Sequence, residues 1–105
     1  MKSKRSKACD ISQKVKKRVF ERDEHRCIIC RSYSAMPNAH YIPRSKGGLG
    51  IEENVVTLCL DCHYKLDQSS QRKEMLSLIR TYLSTYYGDK WDEDKLVYHK
   101  YENTL

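Results

Sequence analysis

The chain has 105 residues, of which 39% are hydrophobic, and 20 Lys/Arg outweigh 14 Asp/Glu for a formal net charge of +6. That length bounds it to one domain with a radius of gyration of roughly 13 Å. Phe20 is the single phenylalanine, so the core is thin enough that a metal or cross-link is expected to supplement it. No apolar run approaches the ~20 residues of a membrane span, and the N-terminal MKSKRSKACD lacks the apolar stretch of a secretory signal. A cytoplasmic protein with no membrane partner is expected.

Charge is unevenly spread. Residues 1–31 hold eleven Lys/Arg and four Asp/Glu, a balance of +7; residues 32–105 hold nine and ten, a balance of −1. A basic N-terminal part on a near-neutral body is the footprint of a polyanion binder, although a solvated tail has the same composition.

In chain order, residues 1–10 read as a basic disordered arm, and residues 11–105 as a single domain. DISQKVKKRVFERDEHRC predicts a helix that Asp10 or Ser12 can cap, with Val15 and Val19 four apart on one face beside Phe20. Lys14, Lys16, Lys17, Arg18 and Arg22 occupy the remaining circumference. CIICRSYSAMP is a tight knuckle and a loop, and NAHYIP is a short strand that Pro43 stops. RSKGGLGIEEN is a polar loop with three glycines, and VVTLC is a second, β-branched strand. LDCHYKLDQ fits a helix of two to three turns. Met75, Leu76, Ile79, Leu83 and Tyr86 then form a 3.6-residue stripe over about residues 70–87, a packing helix that Gly88 ends. In WDEDKLVYHKYENTL, Asp92 caps a short helix carrying Leu96, or the segment pairs as an edge strand.

Four of the five cysteines fall in two pairs, Cys27-x2-Cys30 and Cys59-x2-Cys62, separated by 28 residues. Each C-x2-C knuckle supplies two thiolates from one turn, and two knuckles complete a tetrahedral zinc site. A cytosolic setting argues against disulfides, and a redox C-x-x-C needs only one pair. A closed four-sulfur zinc site staples the fold but has no open position for catalysis. Cys9 stands alone in the basic arm and reads as a bystander.

Around the cysteines stand His40, Asn54 and His63, spaced His40-x13-Asn54-x8-His63. Two strands joined by a glycine-bearing loop bring Asn54 back toward His40, and a helix crossing that hairpin sets His63 opposite. CIIC, AHYIPRSKGGLGIEEN and VVTLCLDCH, in this order and spacing, resemble the HNH endonucleases, in particular the small four-cysteine, phage-type members. The resemblance covers about Ile11 to Asp67, with the motif core at about 27–67. It implies an α+β fold: a ββα-metal (His-Me finger) core with a four-cysteine zinc site, flanked by an N-terminal basic helix and a C-terminal helix.

The resemblance also implies roles. His40 is the general base, Asn54 holds the hairpin and orients that base through the backbone, and His63 ligates a catalytic divalent metal, Mg2+, Mn2+, Ni2+ or Zn2+. Arg44 and Lys46 are placed for flanking phosphates, Lys14, Lys17 and Arg18 for sequence-tolerant affinity, and the glycines for close approach of backbone to DNA. Many members carry a ligating Asp or His directly before the base, where this chain has Ala39. Asp67, one helical turn after His63, is either a second metal ligand or a solvated carboxylate. His25 and His99 read as structural, and Tyr41 and Tyr64 as packing.

The expected activity is metal-dependent hydrolysis of DNA to 5′-phosphate and 3′-hydroxyl ends, by a monomer or weak dimer. The phage-type resemblance adds phage packaging proteins as partners and host-cell cytoplasm as the location. Two other readings compete: a non-catalytic zinc-stabilised DNA-binding module, and an adaptor that works through its tyrosine-rich C-terminal helix.

Overall fold

A computed structural model describes residues 3–99. Helices α1 (Lys4–Cys9) and α2 (Gln13–Arg22) lead to a two-stranded antiparallel sheet, β1 (Ala35–His40) and β2 (Val55–Cys59). Helix α3 (Leu60–Gln68) leaves β2 directly, and α4 (Arg72–Tyr87) follows it. Both α2 and α3 pack on the two strands, and α4 packs on α3. Every residue of β2 is therefore buried.

Helix α1 corrects the expectation of a disordered arm at residues 1–10. The Ser3 side chain accepts from the Ser6 N–H to open it, and its last residue, Cys9, is only 1% exposed. Short basic composition concealed a segment held by tertiary contacts rather than by its own periodicity. Residues 1 and 2 lie outside the described residues.

Of the two capping candidates for α2, Ser12 is the cap: its Oγ accepts from the Val15 N–H at 3.1 Å. Val19 is fully buried on the inward face. The helix ends in a buried pair that no periodicity predicts. The Arg22 guanidinium donates to both Asp23 carboxylate oxygens, at 2.7 and 3.0 Å, and also to the Glu52 and Val55 carbonyls. Asp23 accepts in turn from the Thr57 N–H at 2.8 Å and the Tyr82 hydroxyl at 2.6 Å. The outer edge of β2 is completed by the Ile28 N–H on the Thr57 carbonyl. An unpaired edge is thus occupied by side chains and a loop in place of a third strand.

Strand β1 starts three residues earlier than NAHYIP suggests and runs through Pro37. Its register shifts between Met36, opposite Leu58, and Ala39, opposite Val56. Proline has no N–H to give a ladder, and a bulge is where a strand tolerates it. Alternation then turns Ala35, Pro37 and Ala39 inward, while Met36 and Asn38 face out with half-buried His40.

Met75, Ile79 and Leu83 of the expected stripe are buried on α4, whereas Tyr86 is mostly exposed. Both readings of the following segment hold in part. Asp92 accepts from the Asp94 N–H to cap a short 3-10 turn at Glu93–Leu96, and Val97 then bridges to Gly48. His25 stacks on Phe20, and His99 meets the Asp94 carbonyl, as structural histidines do. Tyr41 packs, with its hydroxyl donating to Glu93, but Tyr64 is 57% exposed and is not packing.

Candidate active site and metal centre

The two knuckles converge. One ligand atom from each of Cys27, Cys30, Cys59 and Cys62 lies within 4.8 Å of the others, and the Cys30 and Cys59 sulfurs are 3.5 Å apart. Tetrahedral zinc with sulfur at ~2.3 Å requires sulfur–sulfur separations of about 3.8 Å, so the donor set fits that ion. The first knuckle closes through the Arg31 N–H on the Cys27 carbonyl at 3.0 Å, with Arg31 in the left-handed region at φ 68°. In the second, Cys59 also caps α3, its sulfur accepting from the Cys62 N–H. Burial pushes the Cys27 thiol up, but hydrogen bonds from the backbone of Cys30, Cys59 and Ile29 outweigh it and bring it to about 7. Burial and the neighbouring sulfurs push the Cys62 thiol up, and Cys30 is raised too, so a metal that binds these ligands as thiolates must displace their protons.

The second constellation assembles at a cleft of about 270 Å³ lined by Asn38, His40, Pro43, Arg44, His63, Asp67 and Arg72. His40 ends β1, and His63 and Asp67 share one face of α3, with Nε2 and Oδ2 3.2 Å apart. Two cis donors to an octahedral ion at 2.0–2.1 Å stand about 3 Å apart, so this pair fits one edge of a divalent site. Among the described residues, the four cysteines are the one group of three or more such ligands drawn that close.

Burial pushes the His40 imidazole below the ordinary histidine value, and the charges of Arg44 and His63 add to that push. The Cys9 carbonyl and Asp10 act in the opposite sense without reversing it. The ring is therefore held toward its neutral form, with Nε2 2.9 Å from the Cys9 carbonyl oxygen.

Asn54 is fully buried and does not touch the cleft. Its Oδ1 accepts from the Ile42 N–H at 2.8 Å, and its Nδ2 donates to the Ile42 and Leu49 carbonyls. The Tyr41 N–H, next to His40, donates to the Asn54 carbonyl at 2.8 Å. The loop that begins beyond His40 is thus pinned to the start of β2.

Ala39 does not line the cleft: its methyl is fully buried in the core, and strand alternation gives the cleft Asn38 and His40. Two of the loop glycines are required by packing within the chain. A Cβ at Gly48 would stand 1.6 Å from the Ile42 carbonyl oxygen, and one at Gly50 would stand 2.0 Å from that of Asp10. Cys9 stands outside the four-cysteine cluster, as expected, but its backbone carbonyl meets His40.

Arg44 reaches the cleft and pairs with Asp10 at 2.8 Å, while Lys46 is exposed on the same turn. Lys14, Lys17 and Arg18 are exposed on α2 and do not line the cleft; Arg18 lies 4.0 Å from Glu52. Asn38, Arg72 and Asp10 were not read as site residues in the sequence. Asn38 was legible, being two residues before His40 on a strand. Arg72, which donates to the Leu66 carbonyl at 2.8 Å, and Asp10 carry no local signal.

A two-stranded sheet crossed by a helix, stapled by four cysteines and offering two imidazoles to one cleft, defines a ββα-metal protein with a structural metal centre. The family model for HNH endonuclease matches residues 27–69, and the chain belongs to the HNH endonuclease family. It is also similar to a protein named Anaredoxin from Nostoc sp., 35% identical over 54 residues, which are 50% of this chain and 71% of that protein. No solved structure matches the chain. The family carries a nuclease or DNA-binding role with a metal site. No helix among the described residues is long and apolar enough to cross a membrane.

Proposed function

We propose that this chain is a metal-dependent DNA endonuclease that leaves 5′-phosphate and 3′-hydroxyl ends. The observation that carries this reading is the meeting of His40, His63, Asp67 and Arg44 at one cleft. A neutral His40 takes a proton from a water whose oxygen bonds to phosphorus as the bond to the 3′-oxygen breaks. His63 and Asp67 would hold the divalent ion, Mg2+, Mn2+, Ni2+ or Zn2+. When bound, that ion supplies positive charge at the nonbridging and leaving oxygens. Arg44 exchanges Asp10 for a flanking phosphate, and Lys46 holds another. Asn54 keeps the loop fixed, and Lys14, Lys17 and Arg18 add affinity that falls with salt.

The second reading is a non-catalytic zinc-stabilised DNA-binding module. It is supported by Ala39 facing the core and by the absence of a tight third ligand beside His63 and Asp67 among the described residues. Supercoiled plasmid with Mg2+, Mn2+ or Ni2+ separates the two. Nicking by wild type and none by His40→Ala is expected, with DNA binding retained in both. Two equally inert proteins that still bind DNA would establish the module.

A further inference from the structure

We infer that residues 3–10, outside the segment matched by the family, are a positioning element for His40, and that the Cys9 carbonyl selects the imidazole tautomer that leaves Nδ1 as the base. The inference rests on His40 being the base of the proposed reaction.

The contact itself fixes the chemistry. A carbonyl oxygen only accepts, so at 2.9 Å from the Cys9 oxygen the His40 Nε2 carries the proton and donates. A neutral ring has one N–H, and its lone pair then sits on Nδ1. In free imidazole both tautomers interconvert; here one is held, and the ring plane with it. An acceptor that orients the ring while the opposite nitrogen works is the arrangement general-base catalysis requires.

That carbonyl is held in place by independent contacts. Cys9 is 1% exposed, and the Gly50 N–H donates to the neighbouring Ala8 carbonyl at 3.0 Å. Arg5 donates to the Ser45 carbonyl at 3.1 Å, and the Asp10 carboxylate meets the Arg44 guanidinium at 2.8 Å. The segment therefore grips the loop beyond His40 from both ends of α1. Gly50 permits this approach, because its missing Cβ would lie 2.0 Å from the Asp10 carbonyl oxygen and 3.0 Å from that of Cys9. Any side chain there must push the segment away from the loop and take the Cys9 carbonyl with it.

The test reads the imidazole directly in the zinc-loaded full chain. In wild type at about pH 7.5, roughly one unit above the ordinary histidine pKa, nitrogen NMR should show His40 as the Nε2–H tautomer alone. Its N–H should exchange slowly with solvent. An Nδ1–H ring or a fast mixture of tautomers overturns the inference, with no variant needed. In Gly50→Ala the mixture should appear, and kcat for plasmid nicking should fall up to about 100-fold, as small misplacements of a reacting group do. Asp10→Asn removes the charge but keeps the carbonyl path, so the single tautomer should persist. Its loss in Asp10→Asn alone, with Gly50→Ala unaffected, would move the role from carbonyl to carboxylate and refute the assignment. Because the tautomer is read without turnover, a single tautomer in an inactive protein would sink the nuclease reading while leaving the positioning contact intact.

Discussion

Asn54 and Ile42 form a closed two-way pair: the Ile42 N–H donates to the Asn54 Oδ1 at 2.8 Å, and the Asn54 Nδ2 donates back to the Ile42 carbonyl at 3.1 Å. A side-chain amide thus acts as a piece of backbone, ending the hairpin where proline at 43 would leave it open. Aspartate offers the acceptor without the donors, and alanine offers neither. The Leu49 carbonyl depends on the same Nδ2.

Asn54→Ala strips partners from three backbone groups at a fully buried position. Leaving buried groups unpaired costs ~1–3 kcal/mol each, so a loss of about 2–4 kcal/mol is expected after partial relaxation. Urea denaturation of the zinc-loaded protein measures it. A loss below about 0.5 kcal/mol, the range of ordinary surface changes, would mean that the loop is held by something else.

Asp23→Ala removes the carboxylate that accepts from Arg22, Thr57 and Tyr82 at once. The Arg22 and Asp23 side chains are 4% and 0% exposed, so the guanidinium is left charged and buried. Burial lowers the Arg22 pKa, but the Asp23 hydrogen bond and charge outweigh it and hold the group above its usual range. Arg22 therefore cannot escape by losing its proton. Breaking such a pair costs ~3–5 kcal/mol. Tyr82→Phe removes one neutral donor and should cost about 1 kcal/mol. Equal effects of the two substitutions in thermal melts would contradict this ranking.

Cys59 is both one of the four clustered cysteines and the cap of α3, so Cys59→Ser should lose more than one ligand's share of stability. Structural zinc contributes ~10–16 kcal/mol of apparent binding in small domains, more than a chain of this size has to spare. Chelation should collapse the helical circular dichroism, and one zinc per chain should restore it. Wild-type melting of Cys59→Ser would refute a structural metal.

The parts of the fold with a local period were legible. Val15 and Val19 announced α2, NAHYIP announced the second half of β1, and Met75, Ile79 and Leu83 announced α4. Cysteine spacing likewise gave the metal site, because C-x2-C fixes two ligands through a single turn. What escaped has long-range causes. Cys9 and His40 are 31 residues apart, and Asp10 and Arg44 are 34 apart, so neither contact leaves a periodic trace. Asp23 carries no local signal of its role, since its partners lie on β2 and α4. The first half of β1, which CIICRSYSAMP placed in a loop, carries Pro37 at the register shift, where a strand tolerates a missing N–H.

His40 sets the acid limb of any activity that depends on it. Its folded pKa lies below the ordinary 6.5, with burial the main cause, so the neutral, proton-accepting form persists further toward acid than in a free histidine. Nicking should therefore rise with pH at values below about 6.5 and be nearly level above it. Arg44→Ala removes a cation that depresses His40, so the midpoint should move up. Asp10→Asn removes the anion that raises His40, so the midpoint should move down. The same sign governs stability. A histidine depressed by folding contributes stability above its unfolded pKa, and that contribution is lost as pH falls through the folded value, because protonation then favours the unfolded chain. Carbon-bound imidazole proton shifts of His40, followed against pH in the three proteins, measure the midpoints. Shifts of Arg44→Ala and Asp10→Asn in the same direction would show that the Asp10–Arg44 pair acts on His40 through position and not through charge.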